Sequence, residues 1–355
     1  MKHSSEKINI SEEEKILLGV IRGLEVLPKD PETGESIISE EKKIKPTKDG
    51  ITGLSGRALK DHIDKVPLLL EALVQKNCLL FDGEIYSMTD MGRTIGKDMR
   101  TKWASEWYGD ILVRSAESEA HALFCERVFG KNLYQFNVLD MKQLEAMLEA
   151  LNLQPDDYVL DLGCGLGKIA EYISNRTGAR FLGIDFAVEA IRWAQENTDS
   201  KDDKLTYQVG NFNELDFPLS MFDAIIAIDT LYPWNINNLD TTIKKLKGYL
   251  KPKGQMGIFL AQIIAPNESQ EKLQSEKTQM GTALTKNGLG FKTIDFTEDA
   301  LQFWIRELSV AQELREMFEK EGNLELCEQR IADSKNTLNN INNQRQRRYF
   351  YHIQK

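Results

Sequence analysis

The sequence predicts an α/β protein: a sheet with helices on both faces, a smaller helix–helix–hairpin domain ahead of it, and a helical insert between its last two strands. Three observations predict it. The apolar run Val159-Leu160-Asp161-Leu162 enters Gly163-Cys164-Gly165-Leu166-Gly167 and then a helix-spaced segment from Lys168 to Ile173, as a buried parallel strand followed by its crossover helix does. Strand and helix patterns then alternate as far as Leu260, which is the signature of a parallel sheet. Finally, the strand patterns 291–296 and 348–353 are separated by a strongly helical stretch over 297–346.

From the N-terminus, Ile16, Leu17, Val20, Ile21 and Leu24 mark a first helix with Ser11 and Glu14 as its capping box. Residues 28–50 carry prolines, glycines and charges with little periodicity and read as a loop. A helical stretch over 55–75 is divided at Pro67. Cys78–Phe81 and Glu84–Met88 form a hairpin with Asp82-Gly83 at its tip. Trp103–Tyr108 and 116–137 concentrate aromatic residues, either as a pocket lid or as an interdomain seam. Met141–Leu151 is an amphipathic helix. Arg180–Asp185, Leu205–Val209, Phe222–Asp229 and Gln255–Leu260 are the second to fifth strands, with helices at 188–197 and 239–250 and a turn at Lys251-Pro252-Lys253-Gly254. The insert breaks near Gly322-Asn323 and is expected to cap the site, because such connections emerge at the ligand face of the sheet. The resulting boundaries are 1–110, a connecting segment 111–140, and 141–355.

With 355 residues and 41% apolar content, the chain is long enough for two cores, since one core stops growing at roughly 250–300 residues. No apolar run is long enough to span a bilayer and the first residues lack a signal-peptide core, so a cytoplasmic location is expected. Cys78, Cys125, Cys164 and Cys327 have neither metal-ligand nor redox spacing; free thiols and no metal are expected. A formal charge of −10 argues against nucleic acid as a partner. The one dense basic cluster, Arg345, Arg347 and Arg348, reads as solvated surface.

The helix–helix–hairpin segment, with Thr89-Asp90-Met91-Gly92 after it, resembles winged-helix modules. Its expected recognition helix, 67–75, has almost no positive charge, which favours dimerisation or scaffolding over DNA binding.

A glycine turn followed by an acidic strand end suits two cofactor classes. A dinucleotide fingerprint needs G-x-G-x-x-G, and here its third glycine position is Lys168. The ordered motifs Val159–Gly167, Leu182-Gly183-Ile184-Asp185 and Leu250-Lys251-Pro252-Lys253-Gly254-Gln255 instead resemble those of class I S-adenosylmethionine-dependent methyltransferases over residues 141–260. The resemblance implies a Rossmann-like, seven-stranded methyltransferase sheet, S-adenosyl-L-methionine as cofactor and S-adenosyl-L-homocysteine as product.

It also implies roles. Asp185 accepts the two ribose hydroxyls through charge-assisted bonds, and Phe186 offers a face to the adenine. Gly163, Cys164 and Gly165 bring backbone groups to the methionyl portion, and Asp161 orients the loop and the amino group. Asn211 and Phe212 stand where many members carry an acidic adenine contact, and Asp229 completes the cofactor set.

On the acceptor side, in-line methyl transfer needs alignment and exclusion of water more than a catalytic dyad. Tyr232 and Trp234 past the fourth strand are candidates for packing on a cationic or sulfonium centre, or for the core. The segment from Phe124 to Gly130 with Leu133–Phe136 resembles the lid of small-molecule N-methyltransferases, which makes Phe124 and Gln135 substrate-contact candidates. His121 beside it is a candidate base, with Tyr232 as a second catalytic candidate. The expected activity is methylation of a small molecule on nitrogen, ahead of oxygen or sulfur. A homodimer through the N-terminal domain is the expected assembly. A cofactor-sensing regulator and a protein methyltransferase are the competing readings.

Overall fold

The computed structural model describes residues 9–25, 45–55, 58–59, 62–198, 203–232 and 238–355. The chain forms two compact units, Met1–Glu106 and Trp107–Lys355.

In the first unit, helix α1 (Glu12–Glu25) starts at the expected capping box: the Ser11 N–H donates to Glu14 Oε2 at 2.6 Å and the Glu14 N–H to Ser11 Oγ at 3.2 Å. Helix α2 (Lys48–Ser55) lies partly where a loop was expected, and helix α3 (Val66–Gln75) begins beside Pro67. The proline starts a helix and does not divide one, because its missing N–H costs nothing in a first turn. Strands β1 (Leu79–Phe81) and β2 (Tyr86–Met88) pair antiparallel with Phe81 opposite Tyr86, so the hairpin loop has four residues. Asp82 closes it by accepting the N–H groups of Glu84 and Ile85. Leu17, Leu18, Ile21, Ile51, Leu70 and Leu73 fill the small core.

Helix α4 runs from Asp90 to Glu117, and helix α5 (Glu119–Phe129) follows after the cap Ser118. Helix α6 (Met141–Leu151) has Asp140 as its N-cap and left-handed Asn152 as its C-cap.

The sheet of the second unit is built from β3 (Tyr158–Leu162), β4 (Arg180–Asp185), β5 (Leu205–Val209), β6 (Phe222–Ile228), β7 (Leu250–Ile263), β8 (Gly290–Asp295) and β9 (Gln346–Gln354). Its order is β5-β4-β3-β6-β7-β9-β8, all parallel except β9, which runs antiparallel to both its neighbours. Strand β7 begins earlier than its apolar pattern: Phe222 pairs with Leu250 and Ala224 with Gln255, so the expected Lys-Pro-Lys-Gly turn is an irregularity inside the strand.

Alternation sorts the strand residues onto two faces. Val159, Phe181, Ala224, Ile226, Phe259 and Phe350 pack with Leu144 and Met147 of α6, and with Ile173 of α7 (Lys168–Thr177) and Ile191 of α8 (Val188–Asn197). Leu160, Leu162, Ile184, Ile225, Ala227 and Ile258 pack with Ile243 and Leu246 of α9 (Leu239–Tyr249) and Met280 and Leu284 of α10 (Gln279–Lys286). Because both faces are covered, β6 is apolar almost throughout, and each fully buried Leu, Ile or Phe contributes roughly 1.5–3 kcal/mol.

The insert consists of α11 (Thr297–Lys320) and α12 (Leu324–Asn342), broken at Gly322 as expected. Phe303, Val310, Phe318, Leu326 and Ile331 of these helices form a core with Phe124, Val128 and Phe129 of α5.

Candidate active site

The C-terminal ends of the parallel strands β3, β4, β5 and β6 share one edge of the sheet. Connections leave β3 towards β4 on one side, while β6 lies on the other, so a crevice opens at this reversal, where doubly wound sheets bind ligands. The glycine turn fills it. Gly163, Gly165 and Gly167 have φ of 77°, 51° and 73°. A Cβ on Gly163 would stand 2.5 Å from Thr230 Oγ1, and one on Gly167 would stand 2.5 Å from the Tyr207 ring. Both positions therefore demand glycine for conformation and for space.

The turn is tied to β4. The N–H groups of Gly163 and Cys164 donate to the Ile184 carbonyl at 2.7 and 3.1 Å. The Gly165 N–H donates to Asp185 Oδ2 and the Ala187 N–H to Asp185 Oδ1, each at 2.9 Å. Asp185 thus clasps the turn through both of its carboxylate oxygens. Asp161, 3% exposed, is pushed up to about 7 by burial and then by the Asp185 charge. Burial also raises Asp185, against the N–H groups of Ala187, Gly165 and Phe186. Two adjacent buried carboxyl groups favour a positively charged ligand bearing hydroxyls.

At the end of β6, Asp229 adopts φ +53° and is gripped by Arg348 of β9, with Nη1 to Oδ1 at 2.7 Å and Nη2 to Oδ2 at 3.0 Å. Tyr232 donates its hydroxyl to Asp229 Oδ1 at 3.0 Å, and the Val138 N–H donates to Oδ2 at 3.0 Å. Gln143 closes the ring: its Oε1 accepts Arg348 Nε–H at 2.6 Å and its Nε2 donates to the Val138 carbonyl at 3.0 Å.

Residues 159–254 match the model of a family described as "Methyltransferase domain". The chain carries a methyltransferase domain. Over 204 residues it is 28% identical to Phosphoethanolamine N-methyltransferase 1 of Zea mays, covering 55% of this chain and 39% of that protein. Over 112 residues it is 34% identical to the Sterol 24-C-methyltransferase of Yarrowia lipolytica, covering 31% of this chain and 29% of that protein. The chain thus spans well under half the length of these curated relatives. Among solved structures, Haemonchus contortus phosphoethanolamine N-methyltransferase 2, in complex with phosphomonomethylethanolamine and S-adenosylhomocysteine, superposes with a TM-score of 0.55. The match has 20% identity over 70% of this chain and 60% of that one. The seven-stranded sheet is the Rossmann-like methyltransferase sheet that the motifs imply.

Within this methyltransferase domain the structure brings Asp161, Gly163, Cys164, Gly165, Asp185 and Phe186 to one edge, and corrects several other expectations. Asp229 was expected to touch the cofactor, but its carboxylate is taken up by Arg348, Tyr232 and Val138. The Tyr232 hydroxyl also accepts the Ala261 N–H at 3.3 Å, and burial followed by the Asp229 charge raises it far beyond a useful base. The Asn211 amide oxygen, expected at the adenine, accepts from the backbone N–H and the side-chain amide of Asn213 at 3.0 and 3.1 Å. Phe212 packs against the sheet core.

On α5, His121 is 1% exposed and Phe124 fully buried. Burial and then the Arg330 charge pull His121 down to about 3, so its neutral ring is too weakly basic to take a proton at neutral pH. Gln135 is 2% exposed and turns its Oε1 onto the Leu133 N–H at 2.9 Å, holding its own loop in place of a substrate. Trp234 lies outside the described residues.

Sequence reasoning missed Arg348, grouped with Arg345 and Arg347 as solvated surface. It is 2% exposed. The period of two in a strand separates Arg348, on the side of Phe350, from its neighbour Arg347, which pairs with Asp295 at 3.0 Å; that alternation was the available signal. Also missed was Arg330, whose guanidinium lies 4.4 Å from the Phe136 ring centroid.

Proposed function

We propose that this protein is an S-adenosyl-L-methionine-dependent methyltransferase acting on a small molecule, with nitrogen as the acceptor atom and S-adenosyl-L-homocysteine as the other product. The observation that carries the reading is the clasp of Asp185 on the glycine turn beside buried Asp161. The Asp185 carboxylate at the strand end suits ribose hydroxyls, and Asp161 suits an ammonium group; a nucleoside with a cationic amino-acid tail presents both. Phe186 supplies an apolar face for the base. When bound, the sulfonium supplies an electrophilic methyl group.

The chain's own contribution is to orient donor and acceptor and to keep water out. The ring of Asp229, Arg348, Gln143 and Val138 fixes the segment before α6 to the sheet edge where transfer would occur, and Tyr232 is held by the same ring. Nitrogen is favoured because a neutral amine needs no strong base, and among the candidate groups Tyr232 is held protonated and His121 lies in a packed core. The relatives named as N-methyltransferases support nitrogen, whereas the sterol C-methyltransferase shows that related domains serve carbon.

The test is transfer of labelled methyl from S-adenosylmethionine into a metabolite extract, with the product identified by mass spectrometry, alongside calorimetric titration with S-adenosylhomocysteine. Saturable binding and a labelled small amine are expected. Absence of binding overturns the reading, and label recovered only in protein replaces the small molecule with a protein acceptor.

A further inference from the structure

Tyr108 ends the aromatic stretch 103–108 that the sequence offers as a pocket lid or a seam. It lies on α4 one turn before Leu112, which packs with Leu166 of the glycine turn and with Ala187 and Ala190 at the start of α8. The Tyr108 ring stands 5.9 Å from the Phe186 ring, tilted by 48°, and meets the Phe136 ring edge-on at 5.8 Å. Arg330 of α12 lies over Phe136 and donates to the Gln135 carbonyl at 2.9 Å. Three aromatic rings therefore run from the residue beside Asp185 to the helical insert.

The charges that act on the Tyr108 hydroxyl, after burial, are Asp185, Arg330, Asp229 and Asp333. Asp229 is neutralised by the Arg348 fork. Arg330 also faces Glu307, with Nη1 3.8 Å from Oε1, so a single guanidinium is shared between Glu307 and Asp333 while Asp185 adds a further negative charge. Aromatic faces amid a surplus of carboxylates attract a cation and repel an anion.

We infer that Tyr108 and Phe136, packed beside Phe186, wall the acceptor site, and that the acceptor is a small amine whose methylated product is a cationic ammonium. This rests on the reading of the domain as a methyltransferase. The nitrogen lone pair forms the new N–C bond as the C–S bond breaks. The sulfur keeps the electron pair, the nitrogen takes the positive charge, and any proton it carried leaves to solvent. Burial holds the Tyr108 hydroxyl up at about 12, so it stays protonated and acts as wall and hydrogen-bond partner, not as base.

The test uses tetramethylammonium chloride as a product mimic and tert-butyl alcohol as its neutral counterpart, titrated into the full chain loaded with S-adenosylhomocysteine and followed by saturation-transfer NMR. Tetramethylammonium is expected to bind at least tenfold more tightly than the alcohol. Tyr108→Leu should abolish that preference, and Tyr108→Phe should keep it. If Tyr108→Leu does not fold, Asp333→Asn, at an exposed position, decides by a loss of threefold or more. No preference for the cation in the unaltered chain, or an undiminished preference in the deciding variant, overturns the inference. Failure of S-adenosylhomocysteine itself to bind overturns the methyltransferase reading beneath it.

Discussion

Arg348 and Asp229 form a two-pronged buried ion pair, 2.7 and 3.0 Å long, with side chains 3% and 8% exposed. It joins the end of β6 to the antiparallel strand β9. Through Val138 and Gln143 it also fixes the segment leading into α6. Removing the cation alone strands a buried carboxylate, which costs roughly 3–5 kcal/mol. Arg348→Met should therefore lower unfolding stability in urea by that amount, and Arg348→Met with Asp229→Asn should recover part of it. A single-variant loss below about 1 kcal/mol would place the pair among weak surface contacts.

On the proposed reading Asp185 has two duties, the turn and the ribose. Asp185→Ala should weaken S-adenosylhomocysteine binding well over tenfold with the fold retained. Asp185→Asn keeps an oxygen for one of the two backbone donors and should fall between, in calorimetric titration. Equal affinity across all three proteins would remove the ribose assignment.

With Asp161 holding the ammonium group, as proposed, cofactor binding is expected to depend on pH. Its carboxyl is held up at about 7, chiefly by burial and next by Asp185. Below that pH it is protonated and offers no charge to an ammonium group. Affinity for S-adenosylhomocysteine should rise between pH 6 and 8, with release of up to about one proton near pH 6–7. Asp161→Asn should flatten the profile; calorimetry in buffers of different ionisation enthalpy measures both effects.

Glu307, fully buried on α11, has both oxygens without a hydrogen-bond partner. Burial raises it from 4.5 to about 7, and the Arg330 charge only partly opposes this. A carboxyl raised on folding stabilises below its unfolded value, and that contribution is lost as pH rises through the folded one. Relative to the unaltered chain, Glu307→Gln should therefore gain about 3 kcal/mol between pH 4.5 and pH 8, measured as the difference between their urea-unfolding free energies. A constant difference would show that Glu307 titrates normally.

The glycine turn, both helix faces of the sheet and the break in the insert were legible because each is local: an apolar run, a period of two or of 3.6, a residue that alone tolerates positive φ. Pro67 was misplaced because a proline signals a helix boundary without saying on which side the helix lies. The site was half legible. Asp161 and Asp185 follow from strand ends beside glycines, which adjacent parallel strands must bring together.

Asp229, Tyr232, His121 and Gln135 have the right chemistry at plausible positions, and only packing decided what they do. Arg348 comes from 119 residues beyond Asp229 to occupy its carboxylate, and no local pattern encodes a partner at that distance. The sequence by itself determined the strand, the glycines and the acidic residue that meet at the proposed donor site, since these obey backbone geometry over a few residues. Tertiary structure alone decided which charges are spent on one another and which face the crevice, because burial and long-range pairing set the charge and reach of every remaining side chain.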